Sequence, residues 1–124
     1  MLGEKNAIAT IAVKDINVAA RFYEGTLGLK PIPAVPGVLS YKSGTSTVLV
    51  YESQYARTNQ ATAATWAVGD DMEEVVRSLK AKGVAFERYD LPGTTQMDDV
   101  LVSGNIKAAW FKDPDGNILQ IVNG

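Results

Sequence analysis

The chain carries the same short pattern twice, and this internal repeat limits the folds that are open to it. Residues 8–15 read IATIAVKD, and residues 63–70 read AATWAVGD, an offset of 55 positions. In each copy an apolar, β-prone run ends in an aspartate, which is a preferred residue for capping the start of a helix. The same offset relates Gly28 to Gly83, and each glycine follows a stretch of helical periodicity. Each copy is therefore predicted to begin with a strand, a helix and a glycine stop.

Further strands are predicted after the helix in both copies. They span residues 38–43 and 47–52 in the first copy, and residues 85–89, 107–111 and 118–122 in the second. Aligning the two closing hairpins requires an offset of 70, so the second copy is longer by 15 residues. The excess lies in residues 91–105, which are rich in Pro, Gly, Thr and Asp. This segment is predicted to be either a functional flap or a disordered tip.

Composition excludes several classes of function. The chain has 124 residues, a net charge of −2 and no run of basic residues, so we expect no nucleic-acid interface. No apolar stretch resembles a signal peptide or membrane span, and a cytoplasmic location is expected. The chain contains neither cysteine nor histidine. These absences exclude disulfides, thiolate nucleophiles and Ser-His-Asp triads, and they remove the usual ligands of catalytic zinc.

The closing hairpin completes a resemblance to a known family. Residues 110–122 read WFKDPDGNILQIV, in which a DPDGN turn separates two β-prone runs. Together with the VKD end of the first strand and the FYEGTLGL segment at residues 22–29, this hairpin resembles the vicinal oxygen chelate superfamily. That superfamily includes glyoxalase I, extradiol dioxygenases, fosfomycin-resistance enzymes and bleomycin-binding proteins. The resemblance extends from about residue 6 to residue 122 and identifies the chain as a member that lacks the metal ligands.

The resemblance implies an α+β fold in which two βαβββ modules form a curved, cup-shaped mixed sheet with the helices outside. The chain is then a single glyoxalase-like domain of residues 1–124. Module one spans about residues 6–53, a linker about 53–62, and module two about 63–124. Related proteins often dimerise, so a homodimer is expected, with the exposed strand edges and residues 34–37 as contact surfaces. The linker permits modules that pair within one chain or between chains.

The resemblance also implies where a metal would be held. In metal-dependent members, a histidine on each module's first strand and a glutamate on each module's last strand supply the ligands. The corresponding positions here are Ile8, Ala63, Val50 and Gln120. Three of these side chains cannot bind a cation and the fourth offers one neutral amide oxygen, whereas catalytic metals take about three protein ligands. We therefore expect no metal and no cofactor, although Glu52 is a nearby carboxylate.

A cup without a metal is expected to be a small-molecule site. The residues expected to line it are Ile8, Thr10, Val48, Val50, Ala63, Thr65, Ile118 and Gln120, with Tyr51 and Trp110 as aromatic contacts. Three small residues among them, Thr10, Ala63 and Thr65, favour an open cavity. The alternative is a closed core in which these side chains pack against one another.

Three functions are compatible with this site. The preferred one is a metal-independent protein that sequesters an apolar or aromatic compound, because occupancy alone then suffices and no proton shuttle is needed. The second is a lyase- or isomerase-like enzyme that uses carboxylate or tyrosine acid–base chemistry, with Glu52 and Glu87 as candidate catalytic residues. The third is a structural dimer subunit whose partner supplies the chemistry.

Overall fold

The repeated strand–helix–glycine pattern forms in both copies. The computed structural model describes residues 1–124, and the predicted α+β class is confirmed. Gly28 and Gly83 have φ angles of 74° and 91°, in the left-handed region where glycine ends a helix without steric cost. Asp15 caps the first helix, since its Oδ1 accepts hydrogen bonds from the backbone N–H groups of Asn17 at 2.8 Å and Val18 at 3.4 Å.

The strands and helices divide between two compact units. The strands are β1 (Ala9–Val13), β2 (Lys30–Ile32), β3 (Val38–Ser43), β4 (Ser46–Glu52), β5 (Thr62–Ala67), β6 (Phe86–Glu87), β7 (Thr95–Met97), β8 (Val100–Ser103), β9 (Ile106–Lys112) and β10 (Ile118–Val122). The helices are α1 (Ile16–Ala20), which continues into a π-helical turn (Arg21–Thr26), and α2 (Met72–Ala81). Neither helix is long and apolar enough to cross a membrane. The first unit comprises residues 1–63 and 114–117, and the second comprises residues 64–113 and 118–124.

The sheet of the first unit has the strand order β1-β4-β3-β2, with β1 parallel to β4 and the other pairs antiparallel. Its register pairs Ile11 with Val50 and Tyr41 with Val48. One face of this sheet is therefore the core, and the side chains on it, at most 4% exposed, are Ile11, Val13, Tyr41, Val48 and Val50. Helix α1 and its π-helical continuation cover this face, since Tyr23 stacks on Tyr41 with ring centroids 6.2 Å apart.

A hydrogen bond joins the π-helical turn to this core. The Tyr41 hydroxyl donates to Glu24 Oε2 at 2.8 Å, and Tyr41 is fully buried. Burial raises the pKa of Tyr41 above its ordinary value of about 10, and the hydrogen bond to the Glu24 carboxylate raises it further. The neutral phenol is thus the form that the folded state holds.

The DPDGN turn contributes its polar side chains to the first unit. Asp115 Oδ1 accepts hydrogen bonds from the Lys14 backbone N–H at 3.2 Å and from Arg57 Nε at 2.9 Å. Asn117 Nδ2 donates to the Ala12 carbonyl at 2.9 Å. Asp115 and Asn117 are 6% and 5% exposed, so these bonds meet the requirement that buried polar groups be paired. The turn that gives the family resemblance is therefore part of the structural core.

The sheet of the second unit has the order β5-β10-β9-β8-β7, and β6 pairs with β9. Antiparallel pairing aligns Leu119 with Phe111 and Gln120 with Trp110. The Phe111 face is buried, and its side chains, at most 2% exposed, include Ala109, Phe111, Leu119 and Ile121. The opposite face is called the Trp110 face below.

Residues 91–105 are folded largely as a β-hairpin and are not a disordered tip, while their role as a functional flap stays a prediction. Strands β7 and β8 form a hairpin in which Thr95 pairs with Val102 and Met97 with Val100, and β8 extends the sheet beside β9. Asp98, in the turn, has a φ of 55°, which aspartate tolerates better than most residues. The β-prone runs on either side of this turn outweigh the loop-like composition of the segment as a whole.

Replacing Tyr41 with Phe should change how stability depends on alkaline pH. Because the pKa of Tyr41 is raised in the folded state, the unfolded chain loses its proton first, and stability is lost as the pH rises above about 10. The wild-type free energy of unfolding should fall more steeply than that of Tyr41→Phe, by a difference that grows above pH 10 toward about 1.4 kcal/mol per pH unit. Urea denaturation between pH 9 and pH 11 measures the difference. Tyr55→Phe removes a hydroxyl from a residue that is 70% exposed and serves as the control; equal slopes for all three proteins would contradict the assignment.

Candidate functional site

A row of side chains crosses the Trp110 face of the second sheet. Strand pairing places Gln120 of β10 and Glu87 of β6 on either side of Trp110 in β9. Thr65 of β5 extends the row, because its hydroxyl donates to Gln120 Oε1 at 2.9 Å. Paired residues in adjacent strands share a face of the sheet. These four residues, Thr65, Gln120, Trp110 and Glu87, are called the Trp110 row.

The Thr65–Gln120 hydrogen bond orients the side-chain amide. Gln120 Oε1 is the acceptor in this bond, so the Nε2 donors are directed to the other side of the amide group. Gln120 is half-buried and Thr65 is exposed. The pair therefore presents a positioned N–H donor next to the indole of Trp110.

Tyr89 adds a second aromatic ring beside the row. Its ring meets that of Trp110 edge to face, with centroids 5.3 Å apart and an interplanar angle of 81°. The Tyr89 hydroxyl is the only buried side-chain oxygen or nitrogen in the protein that has no hydrogen-bond partner. Leaving a buried hydroxyl unpaired costs about 1–3 kcal/mol, so its position next to Trp110 calls for an explanation.

The two candidate catalytic carboxylates, Glu87 and Glu52, differ in their neighbours and their exposure. Glu87 Oε1 lies 3.2 Å from Lys112 Nζ, and the two side chains are 32% and 47% exposed. A partly exposed pair of this kind contributes about 0–1 kcal/mol to stability. It matters for the site because the positive charge of Lys112 offsets the negative charge of Glu87. Glu52 is exposed at the end of β4 in the first unit. The chain has no histidine that could form an acid–base dyad with either carboxylate.

The predicted lining residues of the first unit lie on both faces of its sheet. Thr10 pairs with Leu49, and Ile11 pairs with Val50. Val48 and Val50, which are 4% and 0% exposed, belong to the core face beneath α1, whereas Thr10 and Tyr51 point to the other face. The prediction that Val48 and Val50 share a face with Thr10 is therefore wrong.

The cause of this error is the sequence of β4. Residues 47–51 read TVLVY and can present an apolar surface on either side, so alternation alone does not reveal which side faces the core. The residue that accompanies Thr10 and Tyr51 is Leu49, which the sequence analysis did not select. Ile11 and Val13 in β1 are both buried, so knowledge of how β4 pairs with β1 would have identified the core face of β4.

The remaining predicted residues occupy separate positions. Ile8 precedes β1 and is 47% exposed, and Ala63 is half-buried near the start of β5. Ile118 lies two residues before Gln120 in β10 and is half-buried on the Trp110 face. The structure thus brings together Thr65, Trp110, Ile118 and Gln120.

The residues present do not fit a catalytic metal. No group of three or more His, Cys, Asp or Glu side chains lies close enough together to hold a metal ion. Val50 is in the core of the first unit, and Gln120 Oε1 already accepts a hydrogen bond from Thr65. Three protein ligands are the usual minimum for a catalytic divalent ion, so no mechanistic step is derived through one.

A concave surface lies on the side of the second sheet opposite to the Trp110 row. A cavity of about 510 Å³ separates α2 from the β7–β8 hairpin, and Met72, Val76, Val100 and Val102 contribute apolar surface to it. Asp99 at this cavity is paired with Lys80 at 2.7 Å and with Arg88 at 3.8 Å. The other charged residues that line it are Glu73, Arg77, Asp98 and Lys107. Acidic and basic side chains line this cavity in equal number, so its charge favours neither an anionic nor a cationic ligand.

Comparisons with known proteins agree with the fold. A family model described as the Glyoxalase/Bleomycin resistance protein/Dioxygenase superfamily matches residues 6–121. A search of curated protein sequences gives no match.

Solved structures resemble the whole chain. One is a bleomycin resistance determinant encoded on the transposon Tn5, with 20% identity, a TM-score of 0.74, and coverage of 97% of this chain and 98% of that chain. The fosfomycin resistance protein FosX from Listeria monocytogenes has 16% identity, a TM-score of 0.74 and coverage of 97% and 93%. Lactoylglutathione lyase from Agrobacterium tumefaciens has 16% identity, a TM-score of 0.69 and coverage of 95% and 92%. At these identities the similarity concerns the fold alone.

Replacing Tyr89 with Phe should leave the protein at least as stable as the wild type. The substitution removes a buried hydroxyl that has no partner, so no hydrogen bond is lost and an unfavourable burial is relieved. Tyr41→Phe is the matched control, because it removes a buried hydroxyl that donates to Glu24 and should cost about 1–2 kcal/mol. Urea denaturation at neutral pH compares the two. If both substitutions destabilise the protein equally, the Tyr89 hydroxyl has a partner within the protein.

Proposed function

This chain belongs to the glyoxalase/bleomycin resistance protein/dioxygenase superfamily, whose members bind small molecules, and we propose that it is a metal-independent binding protein that sequesters an apolar or aromatic compound. The Trp110 row carries this proposal. It combines a large aromatic surface with a few positioned polar groups, which is the usual composition of a small-molecule site. The contact of Tyr89 with Trp110 supports the same interpretation, because it adds a second aromatic ring beside the row.

Metal independence is supported by the donor set. The chain has no histidine or cysteine, and its carboxylates do not gather in a group of three. The amide oxygen at Gln120 is engaged by Thr65. A protein that works by occupancy requires no Lewis acid, so these residues are sufficient for the proposed role.

The contacts and exposure of Glu87 and Glu52 favour sequestration over catalysis. Glu87 already contacts Lys112, and Glu52 is an exposed strand-end carboxylate. A general base must reach the proton that it removes within hydrogen-bonding distance, and the chain has no histidine to assist either residue in a proton transfer. Binding by the Trp110 row needs no such group.

A panel of compounds tests the proposal by thermal stability. Bleomycin, fosfomycin, lactoylglutathione, 2-naphthoate and 2-naphthylmethylamine sample the ligands named for similar structures and two simple planar aromatics. A bound compound at about a hundred times its Kd should stabilise the fold by about 2.7 kcal/mol. We expect at least one aromatic compound to raise the Tm and to be recovered unchanged. Trp110→Leu should weaken binding at least about tenfold, because it removes the aromatic surface.

Trp66→Leu is the matched control for this experiment. Trp66 follows Thr65 in β5 and therefore points to the opposite face of the strand. Its substitution should leave the affinity unchanged. A panel without any stabilising compound would contradict sequestration, and chemical conversion of the bound compound would favour the enzyme. Stoichiometric metal in the purified protein, measured by elemental analysis, would contradict metal independence.

We further propose that the protein is a cytoplasmic homodimer. The absence of cysteine suits a reducing compartment. Edge strand β2 is exposed along its length, with Ile32 39% exposed, and Val35 in the following connection is 66% exposed. Apolar side chains at an unpaired strand edge are typical of a surface that another chain covers.

Light scattering after size exclusion tests the dimer. The expected mass is twice the 13.3 kDa of one chain. Val35→Lys should shift the protein toward the monomer, because it places a charge in the proposed contact. Thr45→Lys adds the same charge in the exposed β3–β4 turn and is the control. A mass of one chain at all concentrations would refute the proposal.

A further inference from the structure

The chemistry of the Trp110 row defines the class of ligand more closely. Resting on the proposed function, we propose that the bound compound is a planar aromatic that carries hydrogen-bond acceptors, such as an aromatic carboxylate or carbonyl compound. Cationic amines with the same aromatic body should be disfavoured. The inference follows from which hydrogen-bonding positions of the row are already used within the protein.

The first step concerns Gln120, whose amide oxygen has one of its two acceptor positions filled. The Thr65 hydroxyl donates to Oε1, and no protein group accepts a hydrogen bond from Nε2. An amide normally offers a ligand both an acceptor and two donors. In this arrangement both donors and only one acceptor position remain for the ligand.

The two aromatic residues supply further donors. The indole nitrogen of Trp110 can only donate, and no group of the protein accepts its hydrogen. The ring of Tyr89 contacts that indole, and the Tyr89 hydroxyl is buried without a partner. A ligand acceptor that reached this hydroxyl would pair it and remove the cost of its burial.

The charged residues complete the same pattern. The carboxylate of the row, Glu87, lies against Lys112 Nζ at 3.2 Å, so its charge is already neutralised. The ammonium group of lysine has three donors and no acceptor, and one contact with Glu87 leaves donors available. A cationic ligand would have to compete with Lys112 for Glu87 Oε1, whereas an acceptor would find free donors on Gln120 and Lys112.

Hydrogen-bond donors that stay unpaired when a ligand binds carry a free-energy cost, and this cost favours ligands that can accept hydrogen bonds. A site that is built to donate hydrogen bonds rejects compounds that cannot accept them, because its own groups are left unsatisfied. The net charge of the chain is −2, which on its own would attract cations. A preference for an anionic ligand would therefore reflect the local donors and not the overall charge.

Two probes with one aromatic body test the inference on the full chain. Titration calorimetry compares 2-naphthoate with protonated 2-naphthylmethylamine at neutral pH. We expect 2-naphthoate to bind at least about tenfold more tightly. Gln120→Glu replaces the Nε2 donors with a carboxylate oxygen of the same shape, and should abolish or reverse this preference. Tyr89→Phe should weaken 2-naphthoate binding and leave binding of the amine unchanged.

Gln54→Glu is the matched control for the change of charge. Gln54 is an exposed residue of the first unit, and its substitution should preserve the preference for 2-naphthoate. Equal binding of the two probes, tighter binding of the amine, or a preference that survives Gln120→Glu would overturn the inference while leaving sequestration in place. If neither probe binds, the inference fails, and the proposed function fails with it only if the remaining compounds of the panel are also inactive.

Discussion

The alternation of side chains along β9 is the constraint on which the candidate site depends. Phe111 is 1% exposed and packs in the core, so Trp110, its neighbour in the chain, must point to the other face of the sheet. The same constraint acts in β10, where Leu119 is in the core and Gln120 is beside Trp110. Burial of the core strands thereby determines which residues are available to a ligand, before any ligand-specific interaction is considered.

Much of the fold could be predicted because its signals are local. The repeated strand ends, the two positive-φ glycines and the DPDGN turn each act within a few residues. The face of β4 could not be predicted, since TVLVY is apolar on both sides and only its pairing with Ile11 resolves it. For the candidate site, sequence reasoning selected Thr65, Trp110 and Gln120. It did not find the unpaired Tyr89 hydroxyl, because hydrogen-bond satisfaction depends on distances between strands.

The motif that gives the strongest family resemblance has a structural role in this protein. Asp115 accepts hydrogen bonds from Lys14 and Arg57, and Asn117 donates to the Ala12 carbonyl. Both residues are almost completely buried, so their polar atoms must be paired for the chain to fold. A motif can therefore be shared across a superfamily for its packing, while the chemistry of each member is set by other residues, which we propose to be those of the Trp110 row in this chain.

The Thr65–Gln120 hydrogen bond has a consequence for the thermodynamics of recognition. A free glutamine side chain loses about 1.5–2 kcal/mol of conformational entropy when a ligand immobilises it. In this protein a neighbouring strand already restrains the amide, so most of that loss occurs during folding. Preorganisation of this kind strengthens binding without an added contact. The affinity of the proposed site would therefore be coupled to the pairing of β5 with β10, and loosening that strand pair would weaken recognition even if every contacting side chain were retained.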